Sequence, residues 1–129
     1  MAPTHAQLRT LIDAFYERVR ADERLGPIFA AHVADWDLHS ARLTDFWSSL
    51  MLGSGRYKGN PFGMHQPFAG ELDVALFDRW LELWTITTAE QFAPDLAAEY
   101  QRKARRIAES LKAGLLFDPS RSTQRPAPA

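Results

Sequence analysis

Histidines are the side chains of this 129-residue sequence best suited to hold a metal, and there are four of them: His5, His32, His39 and His65. Neutral imidazole is a common ligand of transition metals. His5 stands at the start of a predicted helix and His32 in a predicted turn, so we expect both at the surface. His39 and His65 are therefore the candidates for an internal site.

His65 lies near the end of residues 53–67, a stretch that holds four of the chain's seven glycines and two of its eight prolines. A helix cannot continue through this stretch, because glycine frees the backbone and proline removes an N–H donor. Connections of about fifteen residues are long for a compact domain and are often functional. Apolar side chains should anchor the stretch: Tyr57, Phe62, Met64 and Phe68. We interpret it as a connector that delivers His65 to a site.

His39 and Tyr16 occupy inward positions of predicted helices. His39 recurs with Leu43, Phe46 and Leu50 at intervals of four, three and four residues, which places the imidazole on an apolar helix face. Tyr16 lies at the inner edge of the apolar stripe of the first helix, and a buried tyrosine needs a partner for its hydroxyl. Both residues also have a purely structural interpretation, as hydrogen-bonded core residues. The pattern alone does not choose between the two.

Apolar periodicity predicts an all-α fold without strands. Helix starts are predicted at side chains that can cap free N–H groups: Thr4 with Gln7 as a capping box, Asp35 or Asp37, Asp73, and Asp95. Residues 25–27 should turn the chain before a short helical piece, and Gly53 should end the helix of His39. We expect one domain over residues 1–117 and a disordered tail over 118–129, which contains no large apolar residue.

Composition excludes several classes of protein. Fifteen basic and sixteen acidic side chains leave a net charge of −1, which favours neither nucleic acid nor an anionic membrane as a partner. No apolar run approaches the roughly 20 residues of a membrane span, and the N-terminus lacks a signal-peptide pattern, so we expect a cytoplasmic protein. The absence of cysteine excludes disulfides, thiolate metal sites and a covalently attached c-type haem.

Two inward histidines on separate elements, a buried tyrosine and an aromatic content of 12% suit non-covalently bound haem. Haem is a flat, mostly apolar disc that needs an axial ligand and a lined slot. The sequence has no Glu-x-x-His pair of a di-iron bundle, no His-Glu-x-x-His zinc helix and no phosphate-binding glycine motif. Two alternatives stay open: a dense aromatic core without any cofactor, and a non-haem metal site at His32 and His39, which lacks a convincing carboxylate ligand.

Several motifs run through the predicted helices without a break in spacing. They are Phe15-Tyr16-Glu17-Arg18-Val19-Arg20 with Asp22, Leu25-Gly26-Pro27-Ile28-Phe29, His39 with Phe46-Trp47, Met51-Leu52-Gly53-Ser54-Gly55, Tyr57-Lys58-Gly59, Pro61, His65, and Phe77-Asp78-Arg79-Trp80-Leu81. Between about residue 8 and residue 115, this series resembles the truncated haemoglobins, specifically their third group. The resemblance implies a shortened globin, a two-over-two helical sandwich around haem b.

The resemblance also implies a role for each matched residue. His65 matches the proximal iron ligand, Tyr16 and Trp80 match hydrogen-bond donors to the bound ligand, and His39 matches a distal histidine that gates the pocket. Positions that line or hold the cofactor are matched as well: Phe29, Leu43, Phe46, Trp47, Tyr57, Lys58, Met64 and Phe77. Tyr57 and Lys58, together with Arg56, are candidate partners of the haem propionates by position only.

The implied function is reversible binding of oxygen, nitric oxide and carbon monoxide at a His-ligated iron. A charge-assisted hydrogen bond contributes roughly 1.5–3 kcal/mol, so two donors at one ligand should slow its release too much for transport. Redox chemistry on oxygen, nitric oxide or peroxide is then expected, as a nitric oxide dioxygenase or a peroxidase-like enzyme with a separate reductase. The alternative is a cofactor-free helical sensor or interaction domain with an aromatic core.

Overall fold

The computed structural model describes residues 2–57, 59, 65 and 70–116. Within these residues the chain forms five helices and no strand, which confirms the prediction of an all-α fold. The helices are α1 (His5–Ala21), α2 (Leu25–His32), α3 (Trp36–Leu52), α4 (Val74–Gln91) and α5 (Pro94–Leu115). None of these helices is long and apolar enough to cross a membrane.

Side-chain caps fix most of the helix starts. Thr4 accepts a hydrogen bond from the Gln7 N–H at 3.1 Å, and Gln7 accepts one from the Thr4 N–H at 2.7 Å, so the predicted capping box forms. Asp35 rather than Asp37 caps α3, and Asp73 caps α4. At the other end of α3, Gly53 adopts the left-handed conformation with φ 67°, as predicted for a helix stop.

Two helix starts differ from the sequence-based expectation. Residues 25–27, predicted as a turn, form the first turn of α2, because Pro27 is tolerated where its missing N–H needs no partner. The Asp22 carboxylate accepts the Leu25 N–H at 3.0 Å and supports this start. His32 accordingly lies at the end of α2 rather than in a turn. The last helix begins at Pro94 and not at Asp95, again with proline in the first turn.

The first helix is the centre of the packing. α1 contacts α2, α3 and α4, while α5 packs mainly on α4, which gives two helix pairs laid over one another. The inner face of α1 is fully buried and forms one side of the core: Leu8, Leu11, Ile12, Phe15, Tyr16 and Val19. Across from it, Trp47 of α3 and Trp84 of α4 are 1% and 0% exposed. The core therefore lies between the two helix pairs, as in the predicted two-over-two sandwich.

Gly26 brings α2 into direct contact with the end of α1. A Cβ atom at this position would lie 2.6 Å from the backbone oxygen of Arg20, which is closer than a real contact. Only glycine therefore fits without a shift of backbone. The same close approach brings the Phe29 ring of α2 to 5.6 Å from the Tyr16 ring of α1, measured between centroids.

We expect Gly26→Ala to lower the free energy of unfolding by about 1–3 kcal/mol, because the added methyl group forces two backbone segments apart. Urea unfolding followed by circular dichroism measures the change. Gly70→Ala is the matched control, since a Cβ there meets nothing within 4 Å. Equal midpoints for the two variants would show that the α1–α2 contact tolerates a side chain.

Candidate functional site

Four rings from three helices meet in one group, which we call the aromatic box: Tyr16 of α1, Phe29 of α2, and Trp36 and His39 of α3. The centroids of every pair of these rings lie between 5.0 and 6.2 Å apart. Most pairs meet edge to face, the arrangement that aromatic quadrupoles prefer. Three sequence-predicted site residues, Tyr16, Phe29 and His39, are thus brought together.

The His39 imidazole is neutral and lacks a hydrogen-bond partner at one nitrogen. Its Nε2 atom is buried, and no group within the described part of the chain bonds to it. Burial is the largest cause that lowers the pKa of His39 to about 4, and the charges of His65 and Arg42 contribute in the same direction. Near neutral pH the imidazole is therefore uncharged, and its Nε2 atom either donates or accepts one hydrogen bond, depending on the tautomer.

The Tyr16 hydroxyl is a protonated donor in the same place. Tyr16 is 5% exposed, and burial raises the pKa of its hydroxyl above the ordinary value. No described residue forms a hydrogen bond with this hydroxyl, and the Tyr16 side chain also lines an open groove. The partner that the sequence led us to expect for a buried tyrosine is therefore not found within the described part of the chain.

Among the described residues, the Trp80 ring contacts Phe15 and Trp84 and no ring of the aromatic box. This half-buried ring lies 5.7 Å from the Phe15 ring, and Phe15 in turn lies 5.0 Å from Tyr16. The two residues predicted to donate to one ligand, Tyr16 and Trp80, therefore share Phe15 as a common contact between α1 and α4. Their joint action on one ligand stays a prediction.

His65 is half-buried, and its charge is one of the two that depress the pKa of His39. The two imidazoles therefore lie within electrostatic range of one another, although they are 26 positions apart in the sequence. Residues 58, 60–64 and 66–69 lie outside the described part of the chain, and two predicted cofactor-binding residues, Lys58 and Met64, are among them.

The other predicted lining residues fall into separate groups. Phe46 is half-buried and contacts Trp47 at 5.8 Å and the half-buried Tyr57 at 5.2 Å. Leu43 is half-buried at the edge of the main core. Phe77 is 8% exposed and belongs to a second cluster, with α5 side chains. Their contact with a cofactor stays a prediction.

Sequence reasoning missed Trp36 and Arg20. Trp36 forms one wall of the box, and the Arg20 guanidinium lies 4.5 Å from the centroid of its ring in a cation–π contact. An open groove of about 390 Å³ runs past this pair, with Tyr16 also in its lining. The signal was present in the sequence, because Trp36 precedes His39 by three residues and so shares its helix face.

The alternative metal site receives no support from the described residues. No group of three or more His, Cys, Asp or Glu side chains there could hold a metal ion. His32 Nε2 lies 2.7 Å from the Glu71 carboxylate, whereas His39 lies inside the aromatic box. These two histidines thus have different surroundings.

The family model for bacterial-like globins matches residues 3–111, and the chain belongs to this family. A group 3 truncated haemoglobin from Campylobacter jejuni is 38% identical over 81 residues, which cover 57% of this chain and 61% of the relative. The matched part is thus less than two thirds of that relative's length. The crystal structure of the group III truncated haemoglobin from Campylobacter jejuni has the same fold, with a TM-score of 0.78 and 27% identity over 88% of this chain and 92% of that one. These similarities confirm the resemblance to the third group of truncated haemoglobins, and membership of a globin family implies a haem-type cofactor with iron.

We expect the His39 imidazole of the haem-free protein to titrate near pH 4, well below the ordinary 6.5. Between these two values the unfolded chain binds a proton that the folded chain does not. The free energy of unfolding should therefore fall as the pH is lowered from about 6.5 to about 4. Imidazole NMR gives the pKa, and urea unfolding at several pH values gives the stability.

Arg42→Gln should raise the pKa of His39, because it removes one of the depressing charges. Arg102→Gln, on the exposed side of α5, is the charge-matched control and should leave that pKa unchanged. A wild-type His39 that titrates at its ordinary value would contradict the buried, neutral imidazole.

Proposed function

We propose that this chain binds haem b non-covalently and binds oxygen and other diatomic gases reversibly at the haem iron. The observation that carries the proposal is the pair of polar groups in the aromatic box. Leaving a polar group unpartnered in an apolar place costs about 1–3 kcal/mol. His39 Nε2 is such a group, the Tyr16 ring lies 5.0 Å from the His39 ring between centroids, and the chain belongs to a globin family.

The surroundings of these two residues fit the distal side of a haem. The box supplies apolar ring faces together with one hydroxyl donor and one neutral imidazole, which is the combination that a small polar ligand in a dry pocket requires. His65, from the glycine-rich connector, would supply the axial imidazole. When bound, the haem supplies an iron that takes a diatomic molecule as ligand. With no cysteine in the chain, the group would be held without a thioether link.

Tyr16 would decide how tightly a ligand is held. Its hydroxyl keeps its proton at any physiological pH, and the side chain is only 5% exposed, so a hydrogen bond made there is weakly screened by water. A ligand with partial negative charge, such as oxygen, therefore gains more from this donor than carbon monoxide does. Trp80 would add a second donor from α4.

The neutral His39 imidazole would guard access to Tyr16. Its ring contacts the Tyr16, Phe29 and Trp36 rings, so movement of one side chain opens or closes the box. Because the low pKa of His39 keeps it uncharged, such movement carries no charge into the apolar surroundings.

Strong donors near the ligand suit redox chemistry better than transport. We propose that the physiological work is reduction or oxidation of bound oxygen, nitric oxide or peroxide, with electrons from a separate reductase. The slow oxygen release expected from such donors would suit this chemistry and not transport, since a carrier must let its ligand go.

Purified protein should show a haem Soret band, and His65→Ala should lose it together with stable haem incorporation. The reason is that the variant lacks the side chain proposed to bind the iron directly. Visible absorption and haem extraction measure both. His32→Ala, which removes an imidazole paired with Glu71 at the surface of α2, is the control and should keep full haem.

A colourless wild-type protein that does not take up added haem would favour a cofactor-free helical domain instead. A His65→Ala variant with full haem and an unchanged spectrum would remove His65 from the axial position but would leave the rest of the proposal standing.

Tyr16→Phe should speed oxygen dissociation by at least about tenfold, the kinetic equivalent of one lost hydrogen bond to a charged acceptor. Stopped-flow displacement of oxygen by carbon monoxide gives the rate. Tyr100→Phe is the matched control, because it too removes one tyrosine hydroxyl from the protein interior, but on α5 and outside the aromatic box. Equal off-rates in wild type and Tyr16→Phe would exclude Tyr16 as the donor.

A further inference from the structure

Three tryptophans and one tyrosine form a continuous series of rings, which we call the tryptophan stack: Trp80, Trp84, Trp47 and Tyr100. Successive centroids lie 6.2, 4.5 and 5.6 Å apart, and the successive ring planes meet at 2°, 19° and 23°. The stack begins at the half-buried Trp80 on α4, crosses α3 and ends at α5. Near-parallel overlap through four rings requires all three helices to hold their register.

Burial of apolar surface alone does not require these residue types. Leucine or phenylalanine would fill the same space, and phenylalanines do flank the stack, with Phe15, Phe46 and Phe92 meeting it edge to face. Tryptophan and tyrosine lose an electron more easily than phenylalanine does, and leucine does not lose one at all under these conditions. Every ring of the stack is a tryptophan or a tyrosine.

The inner rings are shielded from water. Trp84 is 0% exposed and Trp47 1% exposed, and the Trp84 indole N–H donates to the Tyr100 carbonyl at 3.1 Å. A carbonyl does not take up that proton, so an oxidised Trp84 keeps it and stays a radical cation until an electron reaches it. The Tyr100 hydroxyl has no acceptor within the described residues, so Tyr100 is a bridge rather than a resting place for the oxidising equivalent.

The Tyr100 end of the stack lies beneath a surface groove. Tyr100 is 1% exposed and borders this groove of about 250 Å³ together with Pro3, Met51, Leu96, Asp95 and Glu99. Apolar walls with two carboxylates suit a small electron-rich aromatic amine, because the carboxylates favour the radical cation that it becomes on losing one electron. A reductant in this groove lies against the last ring of the series.

We infer that the tryptophan stack carries single electrons from this groove to Trp80 and from there to the haem site. The second part of this path rests on the proposed function. The reaction served is reduction of a peroxide: one hydrogen peroxide, two protons from solvent and two electrons give two water molecules as the O–O bond breaks. Two aromatic amine molecules each lose one electron at the groove. Trp84 gives an electron to Trp80 and becomes a radical cation, which Trp47 then reduces. The electron from the amine passes through Tyr100 and restores Trp47.

The path is tested first in haem-free protein. The chain has no cysteine, so Glu99→Cys gives one attachment point beside Tyr100 for a ruthenium photo-oxidant. Anaerobic illumination with a sacrificial electron acceptor should then oxidise Trp80, which peptide mass spectrometry detects. Trp47→Phe and Trp84→Phe keep an aromatic ring but break the series, and each should lower Trp80 oxidation several-fold.

Phe92→Leu is the matched control, because Phe92 contacts Tyr100 at 5.1 Å without being part of the stack. It should leave Trp80 oxidation unchanged. Trp80 oxidation that is equal in wild type and in both tryptophan variants, with circular dichroism showing all of them folded, overturns the path.

The use of the path is tested in the haem-loaded protein. Trp84→Phe should lower the rate at which added hydrogen peroxide oxidises an aromatic diamine several-fold, with an unchanged Soret band, and Phe92→Leu should not. An unchanged rate overturns the inference even if the haem-free protein conducts. If the wild-type protein takes up no haem, the proposed function fails, and the result in the haem-free protein shows separately whether the stack conducts.

Discussion

A buried imidazole nitrogen without a hydrogen-bond partner among the described residues is the constraint on which the site depends. His39 Nε2 lies within the aromatic box. Burial favours the uncharged forms of both the His39 imidazole and the nearby Tyr16 hydroxyl. An unpartnered buried polar atom lowers the stability of the folded protein. A ligand that bonded to this nitrogen would recover that free energy, so its position, more than the helices themselves, bears on the proposed function.

The helices bury Tyr16, half-bury His39 and hold their side chains close to each other. α1 is buried along one face and carries Tyr16, while α2 is drawn onto its end at Gly26, where only a glycine allows the two backbones to approach. This approach sets Phe29 against Tyr16, and α3 adds His39 from the other side. A substitution that moves α2 away from α1 would therefore also move Phe29 within the aromatic box.

The aromatic residues form two connected groups. One is the aromatic box around the Tyr16 hydroxyl and the His39 imidazole, and the other is the tryptophan stack across α3, α4 and α5. Phe15 joins them, because it contacts Tyr16, Trp80 and Trp84 at 5.0, 5.7 and 4.9 Å. The aromatic residues, 12% of the chain, therefore belong partly to the buried core and partly to the aromatic box. In a haem protein that reduces oxygen species, the two groups would place ligand binding and electron supply side by side.

From the sequence alone most helix starts and the end of α3 could be placed, because caps and apolar periodicity are local: Thr4, Asp35, Gly53 and Asp73 all act within one turn of their own position. The sequence also singled out Tyr16 and His39, since each shares a face with core residues, and its motifs indicated the family. The crossing of the helices set Trp36 against Tyr16 and Arg20 against Trp36, and it aligned the tryptophan stack. Those contacts join residues on different helices, and their distances depend on how the helices cross, which no local pattern records.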